Sequence, residues 1–370
     1  MRPEECCVLI PSLSPDERLP SYVQELRGAG FGLILVVDDG SGTEYQPIFE
    51  KIAAWEGCRV LHHGVNRGKG AGLRTGFAYI QEQTNLQGVI TADSDGQHTV
   101  PDTLKLCAEM NGKEELLLGS RDFSRRNKNV PPKSRFGNRM TSFVFRALYG
   151  QWLPDTQTGL RAFPRSLLDF MQKVGGDRFE YEMNMLIQCS AAKVPMRAVT
   201  IETIYMDENK GTHFHPIRDS WRIYKLLLGS FFRYSAASIL SFLIDYIVLM
   251  LLMFWVFKDQ GDIALLGIPF SFKALVATPI ARLCSSPVNF LLNKNFVFQK
   301  GNSKGAVLRY VVLAVASLAV TTFVFGFLDH YVNSPVLDVA LKAVIDILMY
   351  LVNYRVQRAW VFPMEKRQNG

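Results

Sequence analysis

The stretch VITADSDGQH, residues 89–98, passes from apolar residues directly into acidic and polar ones. A short apolar run that ends in turn-forming residues is typical of a buried strand. Asp93 and Asp95 follow the run one residue apart, and Gln97 and His98 come next. Because carboxylates do not stay buried without a partner, this pattern predicts a cation just beyond the end of the strand.

The surrounding pattern predicts a mostly parallel, Rossmann-like α/β sheet. Apolar runs alternate with segments that have the spacing of amphipathic helices, and the runs cover residues 6–11, 32–40, 58–63, 88–96 and 115–121. Strands separated by helices in this order form a sheet that is covered on both faces. Ligands bind such sheets beyond the carboxyl ends of the strands. Polar groups follow three of the predicted strands there: PSLSPDE (11–17), Asp38 with Asp39, and Asp93 with Asp95.

The second half of the chain has the composition of a membrane domain. Apolar residues dominate after Phe231, and four stretches approach the ~20 residues that cross a bilayer. We predict an all-α domain of four transmembrane helices at residues 235–257, 267–292, 307–328 and 336–354. The predicted domains are therefore 1–215, an amphipathic interface helix at 216–234, for which a plain linker helix remains an alternative, and 235–370.

The basic residues indicate how this domain is oriented. They lie in the second connection and after the last span, at Lys294, Lys300, Lys304, Arg309, Arg355, Arg358, Lys366 and Arg367. The positive-inside rule then places both termini and the soluble half in the cytosol, at the cytoplasmic membrane. The chain has a net charge of +7, and its basic residues cluster beside the apolar runs. This placement favours contact with an anionic membrane surface over binding of nucleic acid.

The membrane half contains an internal repeat and three interior charges. Residues 233–246 resemble residues 309–322, and residues 289–298 resemble residues 353–362 in matching register. Asp245, Arg282 and Asp346 lie well inside three of the predicted spans. Charges at that depth need a partner or water, so we expect Arg282 to pair with one of the acids or to receive a lipid phosphate.

The Asp93–Asp95 pattern suits a divalent cation. Carboxylate oxygens hold Mg²⁺ or Mn²⁺ while phosphate oxygens fill the remaining positions, so the pattern favours a metal that carries a diphosphate. A solvated turn is the alternative for such a short pattern. Three further segments supply basic groups: NRGKGAGLRTG (66–76) with Lys69, GSRDF (119–123) with Arg121, and residues 130–150 with Arg135 and Arg139. The first segment lacks the phosphate-binding P-loop arrangement and is also compatible with a flexible turn into a helix, and the last is also compatible with a plain surface helix.

Several of these motifs together resemble a known family. They are Pro11, VVDDGSG (36–42), NRGKGAGLRTG, ADSDGQH (92–98), GSRDF, QTGLRAF (157–163) and RFEYEMNML (178–186). Their order and spacing resemble the family 2 glycosyltransferases of the dolichol-phosphate mannosyltransferase (polyprenyl-phosphate glycosyltransferase) type, which have the GT-A fold. The membrane half resembles a GtrA-like four-span module.

The resemblance implies roles for individual residues. Asp95 and Gln97 would bind the metal, and Asp93 would lie beside the nucleotide sugar. Asp39, with Asp38 beside it, would bind the nucleoside, and Pro11, Leu13 and Lys69 would line the same site. Arg121 would contact phosphate, and Arg135 would contact the acceptor phosphate, for which Arg139 and Arg282 are further candidates. The family often has P-x-Y-N-E where this chain has PSLSPDE, so the base is not indicated.

The implied reaction is metal-dependent transfer of a hexose. A nucleotide sugar of the GDP-mannose or UDP-glucose type would donate to dolichyl or undecaprenyl phosphate, with inversion, on the cytosolic membrane face. Two alternatives remain: a translocation module for lipid-linked sugar whose soluble half only binds nucleotide sugar, and a polysaccharide synthase. The synthases usually carry a QxxRW-like motif, which this chain lacks. The sequence does not indicate an oligomeric state.

Overall fold

The computed structural model describes residues 1–124, 127, 130–202, 216–256, 262–265, 268–298, 305–329 and 335–363. The chain divides into two compact units, Met1–Leu227 and Leu228–Gly370. The predictions for Lys300, Lys304, Lys366 and Arg367 lie outside the described residues, as does the side chain of Arg282.

The first unit is an α/β domain with one seven-stranded sheet. Its strands are β1 (Cys6–Ser12), β2 (Leu33–Asp38), β3 (Cys58–His62), β4 (Gly88–Thr91), β5 (Leu116–Arg121), β6 (Arg161–Pro164) and β7 (Met196–Ile201). Their order in the sheet is β3-β2-β1-β4-β6-β5-β7, and only β6 runs antiparallel to its neighbours. The predicted mostly parallel α/β sheet is confirmed.

Helices connect these strands and cover both faces. They are α1 (Arg18–Gly28), α2 (Gln46–Ala53), α3 (Lys69–Gln83), α4 (Val100–Glu109), α5 (Pro132–Tyr149), α6 (Leu168–Gln172) and α7 (Glu180–Ala192). Strand β1 lies near the middle, and its side chains alternate between two apolar layers, with Leu9 in one and Val8 and Ile10 in the other. Each fully buried aliphatic side chain stabilises the fold by about 1.5–3 kcal/mol, so the sheet is a firm base for the residues at its edge.

Two strands lacked a sequence signal. Strand β6 follows the turn at Gly159 and has only four residues. It is therefore shorter than the apolar runs from which the other strands were predicted. Strand β7 lies at the sheet edge, pairs only with β5, and includes Arg197 and Thr200 among its six residues. A half-exposed edge strand does not need a continuous apolar run.

The second unit contains long helices that coincide with the predicted apolar spans. They are α8 (Pro216–Leu251, which begins in the first unit), α9 (Phe272–Leu292), α10 (Ala306–Asp329) and α11 (Pro335–Val356). A hairpin of β8 (Asp262–Leu265) and β9 (Ile268–Ser271) precedes α9, an addition that hydropathy did not indicate. Among the described residues, one helical stretch, Tyr224–Val256, is long and apolar enough to cross a membrane, so the count of four crossings stays a prediction.

The two sequence repeats end in the same local structure. Helix α9 passes into a π-helical turn at Asn293–Val297, and α11 passes into one at Gln357–Val361, the corresponding segment of the second copy. Phe298 and Phe362, which follow these turns, stack with their ring centroids 5.3 Å apart. The two copies therefore meet at equivalent residues.

Candidate active site

Three polar segments meet at the carboxyl edge of the sheet, as the sequence predicts. Strand β1 lies between β2 and β4, with Ser12 in register with Asp38 and Leu9 in register with Thr91. The amide N–H of Asp39 donates to the carbonyl oxygen of Ser12 at 2.8 Å. The segments after β1, β2 and β4 are therefore neighbours at one end of the sheet.

Asp39 holds the glycine-rich loop that leads into α3. Its Oδ1 accepts the amide N–H of Arg67 at 3.0 Å and lies 2.7 Å from Nδ1 of His63, and its Oδ2 accepts the amide N–H of Gly68 at 2.7 Å. Gly68 has a φ of +100°, which L side chains rarely adopt. The buried Asp39 carboxylate thus fixes the start of α3, and through it the position of Lys69.

Asp38 is buried beside it with its own partners. Its Oδ1 accepts the amide N–H of Ser41 at 2.8 Å, and its Oδ2 lies 2.9 Å from Nδ1 of His62 and 3.4 Å from Nε2 of Gln46. Burial favours a higher pKa for Asp38, but the hydrogen bonds from Ser41, His62 and Gln46 outweigh burial and hold the pKa below its usual range. Asp38 is therefore an ionised hydrogen-bond acceptor, and both acids after β2 organise this end of the sheet through the hydrogen bonds that they accept.

Lys69 and Asp93 are in direct contact, and a third residue joins them. Nζ of Lys69 lies 2.5 Å from Oδ1 of Asp93 and 2.8 Å from Oε1 of Glu182, in the first turn of α7. Burial lowers the pKa of Lys69, but the two carboxylates raise it by more, so the net pKa lies above the ordinary value. Burial likewise favours a higher pKa for Asp93, but the charges of Lys69 and His98 lower it well below its ordinary value. At neutral pH Lys69 and Asp93 are therefore both charged.

Asp95 has a different environment from Asp93. Its Oδ1 accepts the amide N–H of Gln97 at 3.0 Å, and Gly96 between them has a φ of +78°, which turns the chain sharply. Burial and the neighbouring charge of Asp93 raise the pKa of Asp95. A carboxylate whose ionisation is disfavoured by a second carboxylate gains from a nearby cation.

These residues fit a divalent cation that shares its ligands with a substrate. In the described part of the chain, no group of three or more His, Cys, Asp or Glu side chains converges as a complete metal site. Mg²⁺ commonly binds one or two carboxylates and takes its other oxygens from phosphates and water. Asp95 and Gln97 could supply the protein ligands of such an ion.

The connection before β6 packs against the Asp93 carboxylate. Gly159 lies so close to Asp93 that a side chain at this position would collide with the carboxylate, and its carbonyl oxygen accepts the hydroxyl of Thr91 at 2.8 Å. His98 approaches from the other direction, with Nε2 3.3 Å from Oδ2 of Asp93. Asp93 is therefore confined by Lys69, His98 and Gly159.

The same connection holds Arg121, at the end of β5. Nε and Nη2 of Arg121 lie 2.7 and 3.2 Å from the two carboxylate oxygens of Asp155, which is fully buried. Thr91 of β4 and Leu118 of β5 both align with Arg161 of β6. Arg121 and Asp93 therefore lie at the same end of the sheet. The strands that they follow, β5 and β4, are two strand spacings apart, or about 10 Å.

Helix α5 places Arg135 and Arg139 differently. Nη2 of Arg135 donates to the carbonyl oxygens of Asn127 and Val130, at 2.8 and 3.4 Å, so this half-buried side chain braces the segment before the helix. Arg139 is exposed. Beside it on the helix surface, Phe136 and Phe143 are 68% and 61% exposed. The structure therefore does not bring the two arginines into contact with the acid cluster.

The remaining predicted residues lie on the first strand and in the second unit. Pro11 is buried in β1 below the start of α3, where Gly72 packs over it, and Leu13 is exposed just beyond the strand. Arg282 lies in α9, and its side chain is outside the described residues.

Sequence reasoning missed three residues of this site. Glu182 contacts Lys69, Asp155 contacts Arg121, and Gly159 makes room for Asp93. Gly159 and Glu182 lie within QTGLRAF and RFEYEMNML, which served only to identify the resemblance. Glu182 is one of three charged residues in its motif and Gly159 is uncharged, so the sequence alone singled out neither residue.

Two family models match the chain. Glycosyl transferase family 2 matches residues 33–171, and the transmembrane domain of the GtrA/DPMS family matches residues 233–362. The first match includes β2 to β6 and the Asp93–Asp95 motif, and the second includes most of the second unit.

Several curated relatives are similar to more than half of this chain. Glycosyltransferase AglJ of Haloferax volcanii is 28% identical over 225 residues, which are 60% of this chain and 70% of that protein. The UDP-N-acetylglucosamine–dolichyl-phosphate N-acetylglucosaminyltransferase of Methanococcus voltae is 27% identical over 216 residues, 54% of this chain and 86% of that protein. The dolichyl-phosphate beta-glucosyltransferase of Saccharomyces cerevisiae is 24% identical over 233 residues, 55% of this chain and 68% of that protein.

Proposed function

Because the chain joins a glycosyl transferase family 2 domain to a GtrA/DPMS transmembrane domain, we propose that it transfers a hexose from a nucleotide sugar to a polyprenyl phosphate on the cytosolic face of the membrane. The donor would be of the GDP-mannose or UDP-glucose type, and the acceptor dolichyl or undecaprenyl phosphate. The relatives support the acceptor class, since the names of two of them include dolichyl phosphate.

One observation carries this proposal: the charged cluster at the carboxyl end of β4. Asp93 and Asp95 lie at the sheet edge where α/β folds bind ligands, and Lys69 is held in contact with Asp93. Cations and carboxylates placed side by side suit a substrate that consists of a diphosphate and its metal. A purely apolar crevice would not bind such a group.

The reaction requires little acid–base catalysis by the protein. An oxygen of the lipid phosphate attacks C1 of the sugar, the new O–C1 bond forms, and the bond from C1 to the diphosphate oxygen breaks. The nucleoside diphosphate leaves with the bonding electrons. The attacking phosphate oxygen is already ionised, so no general base is needed, and a single displacement inverts the anomeric centre. The protein must bring two anions together and stabilise the leaving group.

The residues of the edge divide these tasks. Asp95 and Gln97 would hold a Mg²⁺ or Mn²⁺ ion, which supplies positive charge to the leaving diphosphate. Lys69 offers a second positive charge from the start of α3, and Arg121 a third from the end of β5. Asp93 orients the ammonium of Lys69 and would accept hydrogen bonds from the sugar.

The buried acids after β2 have a preparatory role in this scheme. Asp39 holds the loop that positions Lys69, and the backbone after Asp38 borders the place where a nucleoside would lie. Pro11 and Leu13 would form the adjoining wall. The carboxylates that the resemblance assigns to the nucleoside would then act in part by shaping the loops that surround it.

The outer face of α5 supports an acceptor at the membrane surface. Phe136, Met140 and Phe143 are exposed with helical spacing, and Arg139 lies among them. Apolar and basic side chains on one helix face suit the boundary between lipid and water. Arg135 and Arg139 are the candidates for the acceptor phosphate.

The proposal is tested with the full chain purified in detergent. A panel of nucleotide sugars is supplied with undecaprenyl or dolichyl phosphate, and the lipid products are identified by mass spectrometry. We expect one hexose per lipid phosphate from one preferred donor. Polymer would indicate a polysaccharide synthase, and nucleotide-sugar binding without any lipid product would favour a translocation module.

A further inference from the structure

The ammonium of Lys69 is shared by two carboxylates that come from different parts of the chain. It lies 2.5 Å from Asp93, which follows β4, and 2.8 Å from Glu182, which belongs to α7. The three side chains are 17%, 28% and 14% exposed, so water screens the cluster only in part.

The backbone around this cluster is fixed on both sides. Asp39 accepts the amide N–H groups of the two residues before Lys69, and the amide N–H of Ala71 donates to the carbonyl oxygen of Asp177 at 3.0 Å. On the α7 side, Nη1 of the buried Arg161 donates to the carbonyl oxygen of Glu182 at 2.8 Å. The position of Lys69 between the two acids is therefore built into the fold.

The divalent cation and the diphosphate of the proposed reaction would interact with the Lys69–Asp93 ion pair in opposite ways. A divalent cation at Asp95 would repel the ammonium of Lys69 and attract the Asp93 carboxylate, two residues away. A diphosphate would attract the ammonium and be repelled by both acids. Each ligand alone is repelled by one member of the Lys69–Asp93 ion pair. When both are bound, the metal can neutralise Asp93 while Lys69 contacts the diphosphate.

We infer that Lys69 is an internal counter-cation for Asp93 that couples divalent-metal binding to diphosphate binding, and that Glu182 is the positioning residue that restrains it. This inference rests on the proposed function for the identity of the diphosphate. Lys69 neutralises Asp93 while the site is empty, and it turns to the diphosphate when the metal has entered. Glu182 draws the ammonium partly away from Asp93 and adds negative charge, so it favours entry of the metal.

The coupling is measured by Mn²⁺ binding, not by turnover. Free Mn²⁺ is followed by electron paramagnetic resonance with the full chain in detergent, without nucleotide and with saturating UDP or GDP, after correction for Mn²⁺ bound by the nucleotide in solution. For the unaltered protein we expect the dissociation constant of Mn²⁺ to fall by about tenfold in the preferred nucleotide, within the usual range of coupling between two sites.

Two substitutions should act in opposite directions in the absence of nucleotide. Lys69→Gln removes the competing charge, so Mn²⁺ should bind about fivefold more tightly, and the effect of nucleotide should largely disappear. Glu182→Gln leaves the ammonium to Asp93 alone, so Mn²⁺ should bind about threefold more weakly. Lys105→Gln and Glu109→Gln make the same charge changes at exposed positions of α4 and serve as matched controls.

The outcomes separate this inference from the function on which it rests. If Lys69→Gln and Glu182→Gln bind Mn²⁺ like their controls while the unaltered protein binds it well, the inference is overturned and the proposed transfer stands. If the unaltered protein binds no Mn²⁺ with any nucleotide, the metal-dependent reaction fails and the inference with it. Should Lys69→Gln not fold, weaker Mn²⁺ binding by Glu182→Gln supports the inference, and unchanged or tighter binding overturns it.

Discussion

Arg121 and Asp155 form a two-point ion pair that joins the end of β5 to the connection before β6. Nε and Nη2 of Arg121 lie 2.7 and 3.2 Å from the carboxylate oxygens, and Asp155 has no exposed surface. Two parallel hydrogen bonds fix the plane of the guanidinium as well as its position. The ring of Phe123 also lies 5.2 Å from the guanidinium carbon. The orientation of the Arg121 guanidinium is therefore fixed by contacts within the chain.

Substitutions of Arg121 and Asp155 can distinguish a structural role of Arg121 from a role in turnover. Arg121→Ala leaves a buried carboxylate unpaired, so we expect a loss of about 3 kcal/mol of stability together with a fall in turnover of about 100-fold. The double variant Arg121→Ala, Asp155→Ala should regain much of the stability, measured by thermal unfolding of the full chain in detergent. Its turnover should stay low if Arg121 contacts phosphate. Recovery of both quantities would show that Arg121 only holds the loop.

Asp95 provides the test of the metal. Asp95→Asn is nearly isosteric and lies at a partly buried turn, so folding should be preserved while a charged oxygen ligand is lost. We expect turnover to fall by more than about 100-fold and Mn²⁺ binding to weaken in the same variant. Asp16→Asn, at an exposed position after β1, is the matched control. Normal rates for Asp95→Asn, or in excess chelator, would exclude the metal role.

Asp38 should make stability depend on pH in a definite direction. Hydrogen bonds lower its pKa in the folded chain in spite of burial, so ionised Asp38 stabilises the folded state. This contribution is fully present above the pKa of an unfolded Asp, about 4, and is lost as the pH falls through the lower pKa of the folded chain. Asp38→Asn should therefore cost about 1–3 kcal/mol at pH 7 and progressively less below about pH 4.

The measurement for Asp38 is the difference in unfolding temperature between the variant and the unaltered chain across that pH range. Glu17→Gln, at an exposed position, controls for the change in net charge. A difference that stays constant from pH 7 to pH 3 would mean that the charge of Asp38 makes no contribution.

Arg135 and Arg139 should differ in their effects although both lie on α5. Arg139 is exposed among apolar side chains, whereas Arg135 bonds to two backbone carbonyls of the preceding segment. If Arg135 binds the acceptor, Arg135→Ala should raise the KM for polyprenyl phosphate by about tenfold and leave nucleotide-sugar binding nearly unchanged. Steady-state kinetics with each substrate varied in turn decide this. A comparable loss of both affinities would identify Arg135 as a structural brace, and a loss confined to Arg139→Ala would move the acceptor site along the helix.

The sequence predicted the edge of the sheet better than the contacts made there. Apolar runs ending in Asp38, Asp39 and Asp93 sufficed to predict where polar groups converge, because parallel strands end on the same edge. The contacts around these acids could not be predicted. Lys69, which pairs with Asp93, also contacts Glu182, which is 113 positions away in the sequence. Spacing rules describe neighbours within one helix or strand, and they say nothing about which distant loop closes over a site.

The interior charges of the membrane half should include an ion pair. Asp245 in α8 accepts the hydroxyl of Ser285 in α9 at 2.9 Å, so these two helices meet at polar groups within the apolar segment. Arg282 stands three residues before Ser285 in the sequence, which leads us to expect an ion pair with Asp245, or with Asp346 as the alternative. Arg282→Ala should then lower the unfolding temperature, because it leaves an acid unpaired in an apolar environment.

A second substitution identifies the partner of Arg282. Combining Arg282→Ala with Asp245→Asn, and separately with Asp346→Asn, should restore most of the lost stability in only one of the two double variants. Ser286→Ala, at a neighbouring position of α9, controls for a general effect of altering this helix. If neither double variant is more stable than Arg282→Ala, the pairing is wrong. If Arg282→Ala is as stable as the unaltered chain but binds polyprenyl phosphate more weakly, the arginine serves the lipid phosphate.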